Sequence, residues 1–390
     1  MLRNYAYRLY PNKAQYQALG EMLDAYRHLY NAALQERQDA WRKCRVSVNY
    51  YDQANQLKEI RANGDELRRF SYSTAQQVLR RLSKAFDAMF ARIKRGEKAG
   101  FPRFKSARRF NSVPFRFGDG ATLKEGRLNI TGVGRIKVKW HRDIPTDAAI
   151  KTVTVKHDNG KWYACFALDL PDAEPTTHAG PAVGVDLGLS ALVTLSTGEK
   201  VEPPRHFRQA ERKLRKQQRR ASRRKKFSRG WRKAQRQVAK THAHIANQRK
   251  DVAHKLSRRL ADEFSLIAVE DLNILGLAKS NLAKSVLDAG WSQLLQFTTY
   301  KAEEAGSRVV AVDPSGTSQF CSGCGCRVQK DLSVRVHRCP ECGLVLDRDE
   351  NAALNILYRA LNTLGLSVEA LTWPSRACVA SEAAAFYAAE

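Results

Sequence analysis

Cys321-Ser-Gly-Cys324 and Cys339-Pro-Glu-Cys342 bracket a short segment that runs straight into Asp347-Arg-Asp349-Glu-Asn-Ala-Ala-Leu-Asn-Ile356. Two Cys-x-x-Cys knuckles at this separation can close one tetrahedral sulfur site, because each turn presents two thiolates to one point. Each knuckle is followed by glycine, Gly325 and Gly343, which lets the backbone bend sharply around a metal. Residues 319–346 therefore read as a small zinc ribbon, with Cys321, Cys324, Cys339 and Cys342 as Zn²⁺ ligands. Cys326 is a rival, disfavoured because a Cys-x-Cys spacing suits one ion less well. Asp349 opens a helix expected over residues 351–361.

Upstream, Pro181-Ala-Val-Gly-Val-Asp186 and Leu266-Ile-Ala-Val-Glu270 are apolar runs that each end in a carboxylate. Such runs read as buried strands, and strands of one sheet finish side by side. Asp186, Glu270 and Asp349 can then converge. Three crowded carboxylates raise one another's pKa unless cations neutralise them. The hard cation that fits is Mg²⁺, or Mn²⁺ in its place. Two such ions about 4 Å apart could activate water against a phosphodiester. Taken singly, an acid at a strand end is more often a turn former or a helix cap. Asp271 beside Glu270 and Asp347 beside Asp349 leave each assignment open to a slip. The order strand-Asp, hairpin, helices, strand-Glu, helix, helix-Asp is that of an RNase H-like nuclease.

Between the two strands lies a stretch, residues 205–259, whose acids are Glu211 and Asp251 alone. A seam of Val238, Ile245, Val252, Leu256 and Leu260 predicts a long helical hairpin, broken near Ser228. A solvated helix face normally mixes charge signs through i,i+4 pairs. Here phosphate neutralisation is the better account of the basic excess. Phe227, Trp231, His242 and His244 could stack on bases or simply pack. The whole chain, 390 residues and 43% hydrophobic, carries a net charge of +28. That charge points to a polyanionic partner. With no long apolar run or lipidation motif, a membrane is not expected.

The first half divides by its periodicity. Residues 1–10 predict a strand. Helical spacing of Leu19, Met22, Leu23, Tyr26, Tyr30, Ala33 and Leu34 predicts a long helix, and residues 46–67 a second with loops. Ser71 or Ser73 could cap a third, which buries Val78, Leu79, Leu82, Phe86, Met89 and Phe90. From residue 113 the period becomes two, with strands over 113–117, 127–130, 135–140, 150–157 and 162–170. Asn159-Gly160 is a strong hairpin signal. These strands, joined by the first, read as a small antiparallel barrel with the helices inserted in it. Residues 171–180 read as a linker. Further on, residues 287–305 predict one helix and 308–312 a strand. The chain beyond Leu366 is weakly patterned.

Gly184-Val-Asp186-Leu-Gly, Ile267-Ala-Val-Glu270-Asp-Leu, Thr317-Ser-Gln-Phe-Cys321, the two knuckles and Asp347-Arg-Asp349-Glu-Asn together resemble TnpB. That is the OrfB family of IS200/IS605 and IS607 transposons, related to Cas12 nucleases. Arg8-Leu-Tyr-Pro, Gly100-Phe-Pro-Arg-Phe and Asp288-Ala-Gly-Trp291 extend the likeness over nearly the whole chain to about Leu361. The resemblance implies an α/β multidomain, RNA-guided DNA endonuclease, prokaryotic and cytoplasmic. A transposon-encoded guide RNA (ωRNA) would pair with double-stranded target DNA beside a short transposon-adjacent motif, the TAM. One Mg²⁺-dependent RuvC site would cut it, with Asp186, Glu270 and Asp349 as catalytic, metal-binding residues.

Carried over by position, residues 1–10 and 108–175 correspond to a wedge domain and 11–107 to a helical recognition lobe. Residues 176–318 and 347–365 correspond to RuvC, 319–346 to the ribbon and 366–390 to a tail. Tyr72, Ser73, Thr74 and Gln76 are candidates for TAM contact. Lys330, Arg335, His337 and Arg338 are expected on the ribbon surface. Three rivals remain. One is a guide-independent transposase or resolvase, another an RNA-guided DNA-binding repressor. The third is a ribbon protein that binds RNA and keeps its carboxylates for structure.

Overall fold

The computed structural model describes residues 2–171, 178–331 and 333–366. The chain divides into two units, Met1–Asp172 and Ala173–Glu390. Most of the expected linker, and the chain beyond Leu366, lie outside the described residues.

The first unit opens with β1, Leu2–Tyr10, whose Tyr7 and Leu9 are buried. The helix α1, Lys13–Asp39, starts at Asn12, which forms a reciprocal capping box with Gln15. It ends in a π-helical turn, Ala40–Cys44. Then come α2 (Tyr50–Asn63), the short α3 (Asp65–Arg68) and α4 (Tyr72–Lys94). Ser71 is the cap of α4, accepting from the Thr74 N–H. The apolar stripe of α4 packs on α1, α2 and β2 (Ser112–Phe117). It ends at Met89. Phe90, expected inside, is 59% exposed, because the last turns of α4 stand outside the packed surface.

The remaining strands are β3 (Gly120–Lys124), β4 (Arg127–Ile130), β5 (Gly134–Lys139), β6 (Ala149–Asp158) and β7 (Lys161–Asp169). They close a barrel in the order β1-β5-β4-β3-β2-β6-β7. β1 completes it by pairing antiparallel with both β5 and β7. Val113, Phe115, Val153, Val155, Ala164, Phe166 and Leu168 fill its interior. Asn159 and Gly160 both take positive φ, 49° and 78°, as the tight β6–β7 turn requires. Two details depart from the sequence expectation. β3 is an additional strand, too short and glycine-flanked to carry a period-two signal. Its pairing with β2 is parallel over two residue pairs, although only Gly118 and Asp119 join the two strands. Gly118 and Gly120, with φ of 89° and 87°, let the chain coil at that corner.

The second unit is built on β8 (Ala182–Asp186), β9 (Val193–Leu195) and β10 (Lys200–Val201), then α5 (His206–Ser222) and α6 (Arg229–Glu263). Ser228 caps α6, at the break expected from the sequence. After β11 (Leu266–Glu270) come α7 (Ile274–Leu277), α8 (Ala283–Ala289) and α9 (Trp291–Ala305). The helix expected over 287–305 is thus two, because Gly290 at φ 71° terminates α8 and turns the chain into α9. β12 (Arg308–Val312) leads to the ribbon, with its hairpin β13 (Val336–Arg338) and β14 (Val345–Asp347), and then to α10 (Arg348–Thr363).

The sheet order is β10-β9-β8-β11-β12. β8, β11 and β12 run parallel, while β9 and β10 form antiparallel steps. This is the RNase H-like arrangement. Val183, Val185, Ile267 and Val269 share a core with Leu256, Leu260 and Leu294 of α6 and α9. Ala182 and Leu266 pack with Leu357 and Leu361, and Ala268 with Ile356 and Ala360, all on α10. Alternate strand residues therefore face opposite helical layers.

Candidate active site and zinc centre

Strand parity aims two acids at α10. β8 and β11 run in register from Ala182 opposite Leu266 to Val185 opposite Val269. One further step brings Asp186 level with Glu270, both on the face that Ala182, Leu266 and Ala268 present to α10. The helix runs antiparallel to β8. Leu357 packs by Ala182, and a Cβ on Gly184 would lie 1.9 Å from the Ala353 carbonyl oxygen. Asp349, one turn before Ala353, is thereby carried toward Asp186, two residues beyond Gly184.

The electrostatics follow. Burial, then the charges of Glu270 and Asp349, push the Asp186 carboxyl up to about 8, against the pull of Arg348. Burial also raises Glu270, opposed by a hydrogen bond from Thr317. The Thr317 hydroxyl donates to Glu270 Oε1 at 2.5 Å. Asp349 is flanked by Arg348 Nε at 3.3 Å and Arg335 Nη1 at 3.6 Å. The structure thus brings the three acids into one field. Among the described residues, only the four ribbon thiols form a group of three or more candidate ligands all within 4.8 Å of one another.

The neighbouring acids have other occupations. Asp347 Oδ1 accepts from the N–H groups of Asp349 at 2.9 Å and Glu350 at 3.3 Å, capping α10. Its other oxygen pairs with Lys200 Nζ at 2.6 Å. Burial pushes Asp347 up, but Lys200 and those two amides outweigh it and hold the carboxyl below its usual range. Asp271 is exposed. Thr317, Lys200 and Arg335 were not singled out from sequence as partners of the acids, since spacing carries no signal for contacts this far apart in the chain.

In the ribbon, the Cys321 and Cys342 sulfurs lie 3.6 Å apart, and those of Cys324 and Cys339 3.5 Å apart. A tetrahedron with zinc–sulfur legs of ~2.3 Å has edges of ~3.8 Å, so the four thiols fit a Zn²⁺ ion. Burial pushes the Cys339 thiol up, but the Cys342 and Glu341 amides and neighbouring thiols bring it down to about 7. Burial holds the Cys321, Cys324 and Cys342 thiols above their usual range, so Cys339 is the one of the four that favours the thiolate unaided. Cys326 stands outside this group, and its carbonyl accepts from the Cys321 N–H.

Two asparagines bind the ribbon to α10. Asn351 Oδ1 accepts from the Ser322 N–H and its amide donates to the Phe320 carbonyl. The Asn355 amide donates to the Thr317 and Phe320 carbonyls. Of the expected surface residues, His337 is instead fully buried against Lys330. Burial and that cation lower it to about 4, so it is neutral at pH 7. A three-residue strand in so small a ribbon must spend one side chain on its interior. Cys339→Ser is expected to cost the ribbon its capacity to hold zinc, whereas Cys326→Ser should leave that capacity unchanged. Zinc content per chain checks this, and equal losses would make Cys326 a ligand.

The first helix of the basic hairpin buries little. Leu214 and Ala221 are the buried residues of α5. The hairpin's acids are engaged, Glu211 by Arg215 and Lys284, and Asp251 by Lys255. Phe227 is 68% exposed, with its ring 5.5 Å from Trp231. Asp288, read from sequence only as part of a motif, is buried and accepts from the Phe207 and Arg208 N–H groups. It fastens the N-terminus of α5. Of the TAM candidates in the first unit, Tyr72 is exposed, Ser73 and Gln76 are partly exposed, and Thr74 is fully buried.

A sheet of this order, acids at its carboxyl end and an inserted four-cysteine ribbon define a protein of the RNase H-like nuclease class. A family model described as a probable transposase matches residues 153–281, and one described as a Cas12f1-like TNB domain matches residues 291–356. A third, described as a helix-turn-helix domain, matches residues 1–45, which fold as a strand, one long helix and a π-helical turn. A protein of Streptomyces pristinaespiralis with the provisional name RNA-guided DNA endonuclease is 36% identical, over 92% of this chain and 89% of its own. InsQ of Escherichia coli K12, with the same provisional description, is 30% identical over 91% and 92%. The solved mini-RNA-guided endonuclease Cas_phi3 aligns at a TM-score of 0.50 and 10% identity, covering 93% of this chain and 92% of that one. The chain belongs to the TnpB family, the OrfB proteins of IS605-type transposons. No helix among the described residues is long and apolar enough to cross a membrane.

Proposed function

We propose that this protein is an RNA-guided DNA endonuclease with a single carboxylate site made by Asp186, Glu270 and Asp349. The observation that carries the reading is geometric: Asp186 and Glu270 end adjacent strands in register, on the face that α10, and with it Asp349, covers. An all-oxygen donor set with excess negative charge suits Mg²⁺ or Mn²⁺ rather than a soft metal. Bound there, such ions would supply an activated water and charge stabilisation for the leaving oxygen of a phosphodiester.

The chain's own residues do the positioning. Thr317 orients Glu270 through its hydroxyl. Asp347 fixes the first turn of α10, and so the direction of Asp349. Arg335 and Arg348 balance Asp349 and supply guanidinium groups for a phosphate. The α5–α6 hairpin offers a basic face to a nucleic-acid backbone, with base pairing to the guide choosing the sequence. Tyr72, Ser73 and Gln76, on the helical insertion, are the surface residues we assign to TAM contact, the TAM being read between that insertion and the wedge.

The test is to sequence RNA that copurifies with the protein, then strip and restore it. A discrete RNA with a variable 3′ segment, and cleavage of matching double-stranded DNA only when that RNA is present, is the expected result. Sequence-specific cleavage that survives complete RNA removal would instead establish a guide-independent transposase or resolvase.

A further inference from the structure

The helices of the first unit enclose a cavity of about 670 Å³, set between the end of α1, the π-helical turn, the start of α2 and the last turns of α4. Its walls include Arg37, Trp41, Arg42, Arg45, Phe90 and Phe101. Trp41 is 56% exposed, Phe90 59% and Phe101 48%. Large aromatic side chains are thus held open to solvent around a concave site, where burial would have been the cheaper arrangement. π-helical turns are found disproportionately at functional sites. This one brings Trp41 and Arg42 to the cavity wall and leads into Arg45, whose backbone is left-handed at φ 59°. The Arg45 guanidinium lies 5.9 Å from the centre of the Trp41 ring.

The polar lining is one-sided. Asp87 is the single acid of the wall, against three arginines. Arg37 is nine-tenths buried, and its Nε donates to Gln53 Oε1 at 2.9 Å. Its Nη2 has no hydrogen-bond partner among the described residues, although buried guanidinium donors are ordinarily satisfied. That atom is closed off from solvent, so Arg37 gives the wall positive charge rather than a contact, and a second copy of this chain packing by its own aromatics would leave the charge unanswered. Flat aromatic faces beside Arg42 and Arg45 suit an aromatic base joined to a phosphate.

We propose that this cavity holds one unstacked nucleotide of single-stranded RNA, its base against Trp41 and Phe90 and its phosphate on Arg42 and Arg45. The proposal deepens the function above and rests on it only for the choice of RNA as the polyanion.

The test uses the full chain freed of its RNA and a five-nucleotide RNA carrying one 2-aminopurine. Stacking should quench the probe's fluorescence on binding. Trp41→Ala should remove the quench and weaken binding at least about fivefold, the scale of one lost base–aromatic stack, while Trp41→Phe should keep both. The exposure of Trp41 makes a folding failure easy to separate, since the melting temperature should not change. Arg42→Ala with Arg45→Ala should make the salt dependence of binding shallower by roughly one in log–log slope. An undiminished quench in Trp41→Ala overturns the site. Tighter binding of the deoxyribose pentamer overturns the assignment to RNA. A dimer that Trp41→Ala breaks, with probe binding unaffected, assigns the surface to a second copy instead. None of these readouts needs cleavage, so failure of the guide reading and failure of this site give different results.

Discussion

Asp186→Ala is expected to lower DNA cleavage by at least about a thousandfold while RNA binding persists. In the proposed site, several kcal/mol of charge stabilisation would depend on the ions this carboxylate helps to hold, and about 4 kcal/mol corresponds to that factor. The surfaces proposed for RNA lie on other elements. A second readout separates a metal-binding acid from a structural one. The folded-state pKa of Asp186 is raised to about 8, against about 3.9 in an unfolded chain. A raised carboxyl binds its proton more tightly in the folded state, so its contribution falls as pH rises from about 4 and is lost above about 8. In EDTA, the unit carrying the sheet should therefore melt at lower temperature at pH 8 than at pH 5. Asp186→Asn should flatten that dependence, and Mg²⁺ should restore the wild-type protein at pH 8. A difference of ~2 kcal/mol would appear as about 5 °C. Cleavage by Asp186→Ala at wild-type rate would return the carboxylates to a structural role.

Gly184→Ala should be nearly as damaging without touching an ionisable group. Its new Cβ would meet the Ala353 carbonyl oxygen at 1.9 Å and the Leu357 Cβ at 3.0 Å. Backbone inside a helix cannot swing aside as a side chain can, so α10 must lift from β8. Overpacking of this kind costs about 1–3 kcal/mol or more. An ångström of displacement at Asp349 is enough for about a hundredfold loss of rate. Gly20→Ala is the matched control, because Gly20 lies within α1 with nothing inside 4 Å of an added Cβ. There the substitution should hold or raise stability by up to about 1 kcal/mol. Similar cleavage by the two variants would mean that α10 is not what aligns the acids.

The first prediction draws on a feature readable before any coordinates: Asp186 and Glu270 each end an unbroken apolar run. The second needs the packing of α10 on β8, which no local pattern carries. The four clustered cysteines announce themselves by spacing. What escaped the sequence reading has a common physical origin. Burial of single residues depends on where neighbouring elements stop, which is why Phe90 emerges and His337 and Thr74 are enclosed. Thr317 reaches Glu270, and Asp288 reaches the start of α5, across distances for which local pattern has no signal. Gly290 looks permissible inside one helix until its positive φ divides that helix in two. Spacing also leaves Asp347 and Asp349 alike, whereas in the fold Asp347 is occupied in capping the helix on which Asp349 stands.

The barrel's closing seam joins Leu2 to Asp169 and Leu9 to Trp162. A chain leaving the ribosome at about 5–20 residues per second must wait on the order of 10–30 s before its first strand meets this partner. During that interval α1, α2 and α4 can form from near neighbours in the polypeptide, since short-range contacts assemble fastest, while the edge of β1 that meets β7 stays unpaired. Birth order therefore runs from the inserted helices outward. The nascent protein carries a sticky leading edge that only the completion of β7 silences.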